Sequence, residues 1–283
     1  MAVLLAGMSA LAFGAGDFYG GLSARRMPAL WTTVVAQAVG LALVALAAAV
    51  IGGAPLGSDL WLGVAAGAVG GFSLAAFYWA MAQGPMSVVA PLSAVTSAVV
   101  PVIAGLVSGE RPGPSTIAGI LLALPAIALI SREGTSEDVP ADRGTAGARV
   151  AVVAVLAGAG FGSFFALVSH TSDDSGLWPL VTARSTAVVL ALAAVALARP
   201  QGPTPHGARL ATFTGAMDAL GNALFLFASR HGMLALVGVI GAMYPASTVV
   251  MARFILGERI ARHQLVGLCT AAAAVTLIGI SSG

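Results

Sequence analysis

Residues 132–149 read REGTSEDVPADRGTAGAR. Seven charged side chains, a proline and three glycines fall in eighteen residues of a chain that is only 8% charged elsewhere and here combined. Apolar stretches separated by short polar breaks extend on both sides of it. They predict helices near 2–24, 30–51, 60–82, 86–108 and 114–131 before the segment. After it come 149–170, 177–198, 208–230, 233–256 and 261–281. The segment therefore divides ten apolar spans into five and five.

Composition explains why the spans are read as crossing a membrane. The 283 residues are 58% hydrophobic, and the mean hydropathy is +0.96. A water-soluble domain has about 25% charged residues to cover its surface. This chain lacks that supply, and runs of about 20 apolar residues fit the thickness of a bilayer. Lipid satisfies no backbone N–H or C=O, so continuous apolar runs of this length are helices. The expected fold is an all-α integral membrane protein of about ten transmembrane helices.

The two halves match each other without gaps at an offset of 148 residues. Phe13-Gly14 matches Phe161-Gly162, Gly67-Ala68 matches Gly215-Ala216, and Gly84 matches Gly232. Gly109-Glu110-Arg111 matches Gly257-Glu258-Arg259, and Gly119 matches Gly267. From position 62 to 131 there are 20 identities in 70 pairs, which marks an internal duplication. The expected organisation is a first five-helix repeat at 1–131, a charged linker at 132–148 and a second repeat at 149–283. Five is odd, so the second repeat enters the membrane in the opposite sense. Inverted repeats of this kind occur in secondary transporters, with the solute site between the halves near the midplane.

Arginine counts set the expected orientation. The face holding both termini has Arg111 and Arg230 in its connections. The opposite face has Arg25, Arg26, Arg132, Arg143, Arg149, Arg199, Arg209, Arg259 and Arg262. The positive-inside rule places the second face in the cytoplasm and both termini outside.

These features resemble the EamA-type carriers of the drug/metabolite transporter superfamily. The resemblance rests on the ten spans, the two five-helix repeats and the Gly-Glu-Arg ending the fourth helix of each repeat. It also rests on Gly119 and Gly267, eight residues beyond each of those arginines. It implies a basket in which the fifth helix of each repeat is peripheral and the others line a central cavity. It further implies transport of metabolites such as amino acids, sugars or nucleotides, with coupling to protons or by exchange.

Ionisable residues inside spans cost about 2.5–3.5 kcal/mol to insert, so they mark function or pairing. Asp218 lies mid-span, and Asn222 and Phe225 follow at four and seven residues on the same face. The stripe offers a carboxylate, an amide and an aromatic wall for solute or proton; the alternative is an ion pair with Arg184. Asp17 lies among Gly14, Gly16, Gly20 and Gly21 and is read as a second binding acid, or as a carboxylate reaching water near the interface. Arg184 either neutralises a solute carboxylate or pairs with a buried aspartate. Gln37 adds a polar group in the second span. Tyr78, Trp79 and Tyr244 are deep enough to line a cavity, where with Asp218 they would cage an organic cation. Glu110 and Glu258, each at a helix end, read as caps or braces. Pro91, Pro101 and Pro245 fall inside spans and mark candidate bending points.

The sequence has no lysine, so no phosphate-gripping P-loop exists. No His/Cys/Glu set has metal-ligand spacing. No cofactor is expected. The expected partners are a small-molecule solute, the lipid bilayer and protons as a coupling ion, with no nucleic acid, in a monomer or homodimer. The expected setting is the inner membrane, multi-pass. An intramembrane lipid-modifying enzyme or a non-transporting membrane subunit is the alternative.

Overall fold

The computed structural model describes residues 1–83, 86–131, 145–255 and 261–281. The described side chains do not include those of Tyr78 and Pro91. The Gly257-Glu258-Arg259 motif and residues 132–144 of the linker lie outside the described residues.

All regular structure among the described residues is helical. The first half contributes α1 (Ala2–Ala24), α2 (Ala29–Ile51), α3 (Gly57–Gln83), α4 (Met86–Val107) and α5 (Pro114–Ser131). The second half contributes α6 (Thr145–Ser169), α7 (Trp178–Ala198), α8 (Pro205–His231), α9 (Leu234–Gly241), α10 (Tyr244–Ile255) and α11 (Arg262–Ser281). Among the described residues, seven helical segments are long and apolar enough to cross a membrane. Three shorter apolar helices, Leu92–Val107, Pro114–Ile130 and Arg262–Ile278, complete the expected ten spans.

One expectation is corrected. The stretch read as a single ninth helix, 233–256, is broken: α9 ends at Gly241 and α10 begins at Tyr244. Pro245 explains the break, because it has no N–H to give to the Gly241 carbonyl. The chain turns instead through tighter bonds, from Met243 N to the Ile240 carbonyl at 3.0 Å and from Ala246 N to the Met243 carbonyl at 2.9 Å. Pro101 lies within α4 and Pro125 within α5 without ending either helix.

Eight spans form a ring in which the two repeats alternate. Going round, α1 packs on α8, α8 on α2, α2 on α7, α7 on α3, α3 on α6, α6 on α4, α4 on α9, and α9–α10 back on α1. Each ring helix thus has both of its main neighbours in the other repeat. The fifth helices, α5 and α11, pair with each other outside the ring, and α5 leans on α4.

The glycines shared by the two halves are the points where these helices cross. A Cβ on Gly67 would lie 2.1 Å from the Ala183 carbonyl oxygen of α7; one on its counterpart Gly215 would lie 2.3 Å from the Ala36 carbonyl oxygen of α2. Gly119 of α5 sits against Ile278, and Gly267 of α11 against Ile130, which is the repeat counterpart of Ile278. The pseudo-twofold relation read from the sequence is therefore visible as matched contacts. Small residues at crossings let membrane helices approach closely enough for dispersion to hold them.

The outer wall is apolar. Leu4, Met8 and Leu11 on α1, and Leu43, Leu46 and Val50 on α2, form exposed stripes at helical spacing. A surface of this kind suits lipid as the outer solvent.

Candidate functional site

Asp218 is the fourteenth of the 27 residues of α8, so it lies at the middle of the span. Its Oδ2 accepts a hydrogen bond from Arg184 Nη2 at 2.6 Å. Arg184 Nη1 donates to Gln37 Oε1 at 2.8 Å. Asn222 Nδ2 donates to the Asp218 carbonyl at 2.8 Å and to Oδ1 at 3.3 Å. Four side chains from α2, α7 and α8 thus form one network across both repeats. The two charges differ in access: Arg184 is 5% exposed and Asp218 35%.

The sequence alone gave no reason to include Gly40 here. A Cβ at that position would lie 2.3 Å from Arg184 Nη1 and 2.8 Å from its Cζ. The guanidinium therefore lies close against α2 at Gly40. The available signal was the three-residue spacing from Gln37, which puts both residues on one face of α2.

A cavity of about 90 Å³ adjoins the network. Gln37, Gly71, Phe161, Arg184, Asp218 and Asn222 are among its lining residues. Gly70 and Gly71 leave space on the α3 side; a Cβ on Gly70 would press on the Phe164 ring at 3.1 Å.

Asp17 lies one turn beyond Phe13 on the inner face of α1, away from the outward stripe of Leu4, Met8 and Leu11. Its neighbour Gly16 abuts Thr214, Met217 and Asp218 of α8. The two acids therefore sit on facing stretches of α1 and α8, where a charge on one disfavours a charge on the other. Tyr244 is the first residue of α10, and its carbonyl accepts from Ser247 Oγ at 2.9 Å and from Thr248 Oγ1 at 3.2 Å. Asp17 itself accepts no hydrogen bond and meets no cation among the described residues, and it is solvent-accessible.

Other expected site residues sit apart from this network. Phe225 is 1% exposed and stacks on Phe165 with ring centroids 4.3 Å apart. Phe13 and Phe164 also pack on Phe165. Together they form an aromatic floor between the network and the face that carries the termini. Trp79 is 37% exposed, and the Arg149 guanidinium sits 5.2 Å from its ring centroid, near the opposite face. The Tyr78 side chain lies outside the described residues.

The face that carries the termini is closed by a second polar network. Asp59 Oδ2 accepts from Ser172 Oγ at 2.6 Å, Ser172 N at 3.0 Å and Ser175 Oγ at 2.6 Å. Arg230, at the end of α8, donates to the carbonyls of Ser172 at 2.9 Å and Gly176 at 2.8 Å. It also makes a charge contact with Asp173 at 3.0 Å. Glu110 caps α9 from the other repeat, accepting from Leu234 N and, at 3.0 Å, from Ala235 N. A carboxylate at a helix N-terminus satisfies orphan N–H groups and complements the helix dipole. On the opposite face, α4 does not follow α10 as it follows α9 among the described residues. The ring is thus tight at one end.

No curated protein matches the chain. One solved crystal structure, described only as that of a protein, superposes with a TM-score of 0.79 at 14% identity, covering 99% of this chain and 96% of its own. That likeness concerns the fold. The description of the EamA-like transporter family matches residues 1–132 and again 148–280, so both halves carry the signature separately. The chain, a multi-pass membrane protein, belongs to the EamA-like transporter family.

Proposed function

We propose that this protein is a secondary transporter that moves a small polar metabolite across the inner membrane by alternating access, without covalent chemistry. The observation that carries the reading is the asymmetry of the ring. A charged network at mid-depth lies between the repeats, the end bearing the termini is closed by Asp59, Arg230 and Glu110, and the acids retain access to solvent. A solute-binding protein that exposes its site to one side at a time needs this combination of one sealed end and one accessible end.

The closed end joins segments far apart in the chain through hydrogen bonds and one exposed ion pair. Such contacts are individually modest. They can break and reform as a carrier changes state. The Arg184–Asp218 pair, by contrast, holds α7 to α8 and is shielded on the Gly40 side. By the arginine count, the accessible end faces the cytoplasm and the closed end faces outward. Protons serve as the coupling ion in this reading, taken up by the mid-depth carboxylates.

The test is uptake by purified protein in proteoliposomes. Labelled amines, amino acids, sugars and nucleosides are supplied outside, with a proton gradient imposed in either direction. Saturable uptake of at least one class, stimulated by the gradient, is the expected result. Uptake that stays linear with concentration would mark a pore, and no uptake of any class would refute the carrier reading.

A further inference from the structure

The charges at mid-depth do not cancel. Asp17, Arg184 and Asp218 are charged side chains within α1, α7 and α8. Arg184 and Asp218 neutralise each other at 2.6 Å. When Asp17 is ionised, the residual charge of minus one rests on it.

Arg184 is also not free to hold an incoming anion. One Nη is committed to Gln37 and the other to Asp218. The α2 backbone at Gly40 covers its face, and only 5% of the side chain is exposed. A solute carboxylate would have to displace Asp218 and leave a second carboxylate uncompensated near Asp17. Leaving a buried charge without its partner is strongly unfavourable. Asp17 presents the opposite situation. It is accessible, accepts no hydrogen bond among the described residues, and lies within electrostatic reach of Asp218. A cation between the two would relieve their repulsion. The start of α10 packs on α1 one turn before Asp17, where Thr248 donates to the Gly14 carbonyl at 3.2 Å. The cavity of about 90 Å³ lies on the Asp218 side and Asp17 is not among its lining residues; it is well below the roughly 300–1,000 Å³ of sites for drug-sized ligands.

We infer that the ring binds a small organic monocation, a primary or methylated amine without a carboxylate, and that Asp17 receives its charge while Arg184 acts as an internal counter-ion. This rests on the carrier reading above and names its solute class. It excludes anions outright and disfavours amino acids, whose carboxylate finds no available cation.

The experiment uses the full chain in detergent and three probes of similar size: ethanolamine as cation, alanine as zwitterion and lactate as anion. A ligand that binds the folded state raises the melting temperature as the logarithm of its concentration. Ethanolamine should raise it, and alanine and lactate should not. The ethanolamine shift should vanish in Asp17→Asn and persist in Asp17→Glu, which keeps the charge. An unliganded melting temperature close to wild type checks that each variant is folded. The inference is overturned if alanine or lactate matches ethanolamine, if no probe shifts the melting temperature, or if Asp17→Asn keeps the full shift. Proteoliposome uptake separates the two readings. Ethanolamine binding that depends on Asp17 without saturable uptake would refute the carrier and leave the site. Saturable uptake of alanine but not ethanolamine would keep the carrier and refute the solute class.

Discussion

Removing one partner of the Arg184–Asp218 pair gives the sharpest test of how this ring is held together. In Asp218→Asn the guanidinium keeps its bond to Gln37 but loses its counter-charge. With charge centres about 4 Å apart and an effective dielectric near 20, the lost attraction is about 4 kcal/mol. Asp218 is 35% exposed, so water screens part of this, and about 2 kcal/mol is the discounted expectation. Arg184→Gln should cost a similar amount by leaving Asp218 and Asp17 without a nearby cation. The double variant should cost little more than either single one, because each removes the other's stranded charge. The assay is denaturant unfolding in detergent, followed by tryptophan fluorescence, for wild type, both single variants and the double. A coupling energy near 2 kcal/mol is expected. Additive costs, with coupling below about 0.5 kcal/mol, would refute the claim that the pair is the internal counter-ion.

Three further outcomes are expected. Gly67→Val or Gly215→Val should lower the melting temperature or prevent folding, since overpacking a tight contact costs about 1–3 kcal/mol; Gly7→Ala, where a Cβ meets nothing within 4 Å, is the neutral control for unfolding by scanning calorimetry. Glu110→Gln should destabilise by about 0.5–2 kcal/mol through loss of the charged cap on α9, read as a shifted denaturant midpoint; an unchanged midpoint would remove the cap from the account. Arg230→Gln should raise the labelling rate of a cysteine placed at Ser175 by a membrane-impermeant thiol reagent added on the terminal face, in a Cys269→Ser background; an unchanged rate would mean that Arg230 does not hold that end closed.

Much of the architecture was legible in the residues because it follows from local rules. Span length follows from bilayer thickness, and the offset of 148 residues revealed the duplication. The glycines that match across that offset, Gly67 with Gly215 and Gly119 with Gly267, turned out to be helix crossings. Other features depend on where distant segments meet. Pro245 breaks its helix whereas Pro101 does not, and the two read alike in sequence. Asp59 meets Ser172 from 113 residues away, and no spacing rule connects them. Phe225 shares a helical face with Asp218 by count, yet the stack on Phe165 takes it into the packed floor. The sequence left open whether Arg184 pairs with an aspartate or meets solute, and the structure pairs it with Asp218.

The alternation of repeats around the ring also bears on how the protein is made. When the first five helices have been translated, each of α1 to α4 still lacks both of its main neighbours, which are encoded downstream. The first half therefore cannot complete a packed bundle alone and has to wait in the bilayer for the second. The same geometry accounts for the duplication itself. Two separate five-helix chains inserted in opposite directions would interleave in the same way, and joining their genes would preserve every crossing while fixing the stoichiometry. Once the copies are encoded separately, one can carry Asp218 where the other has Gly70, which a pair of identical chains could not.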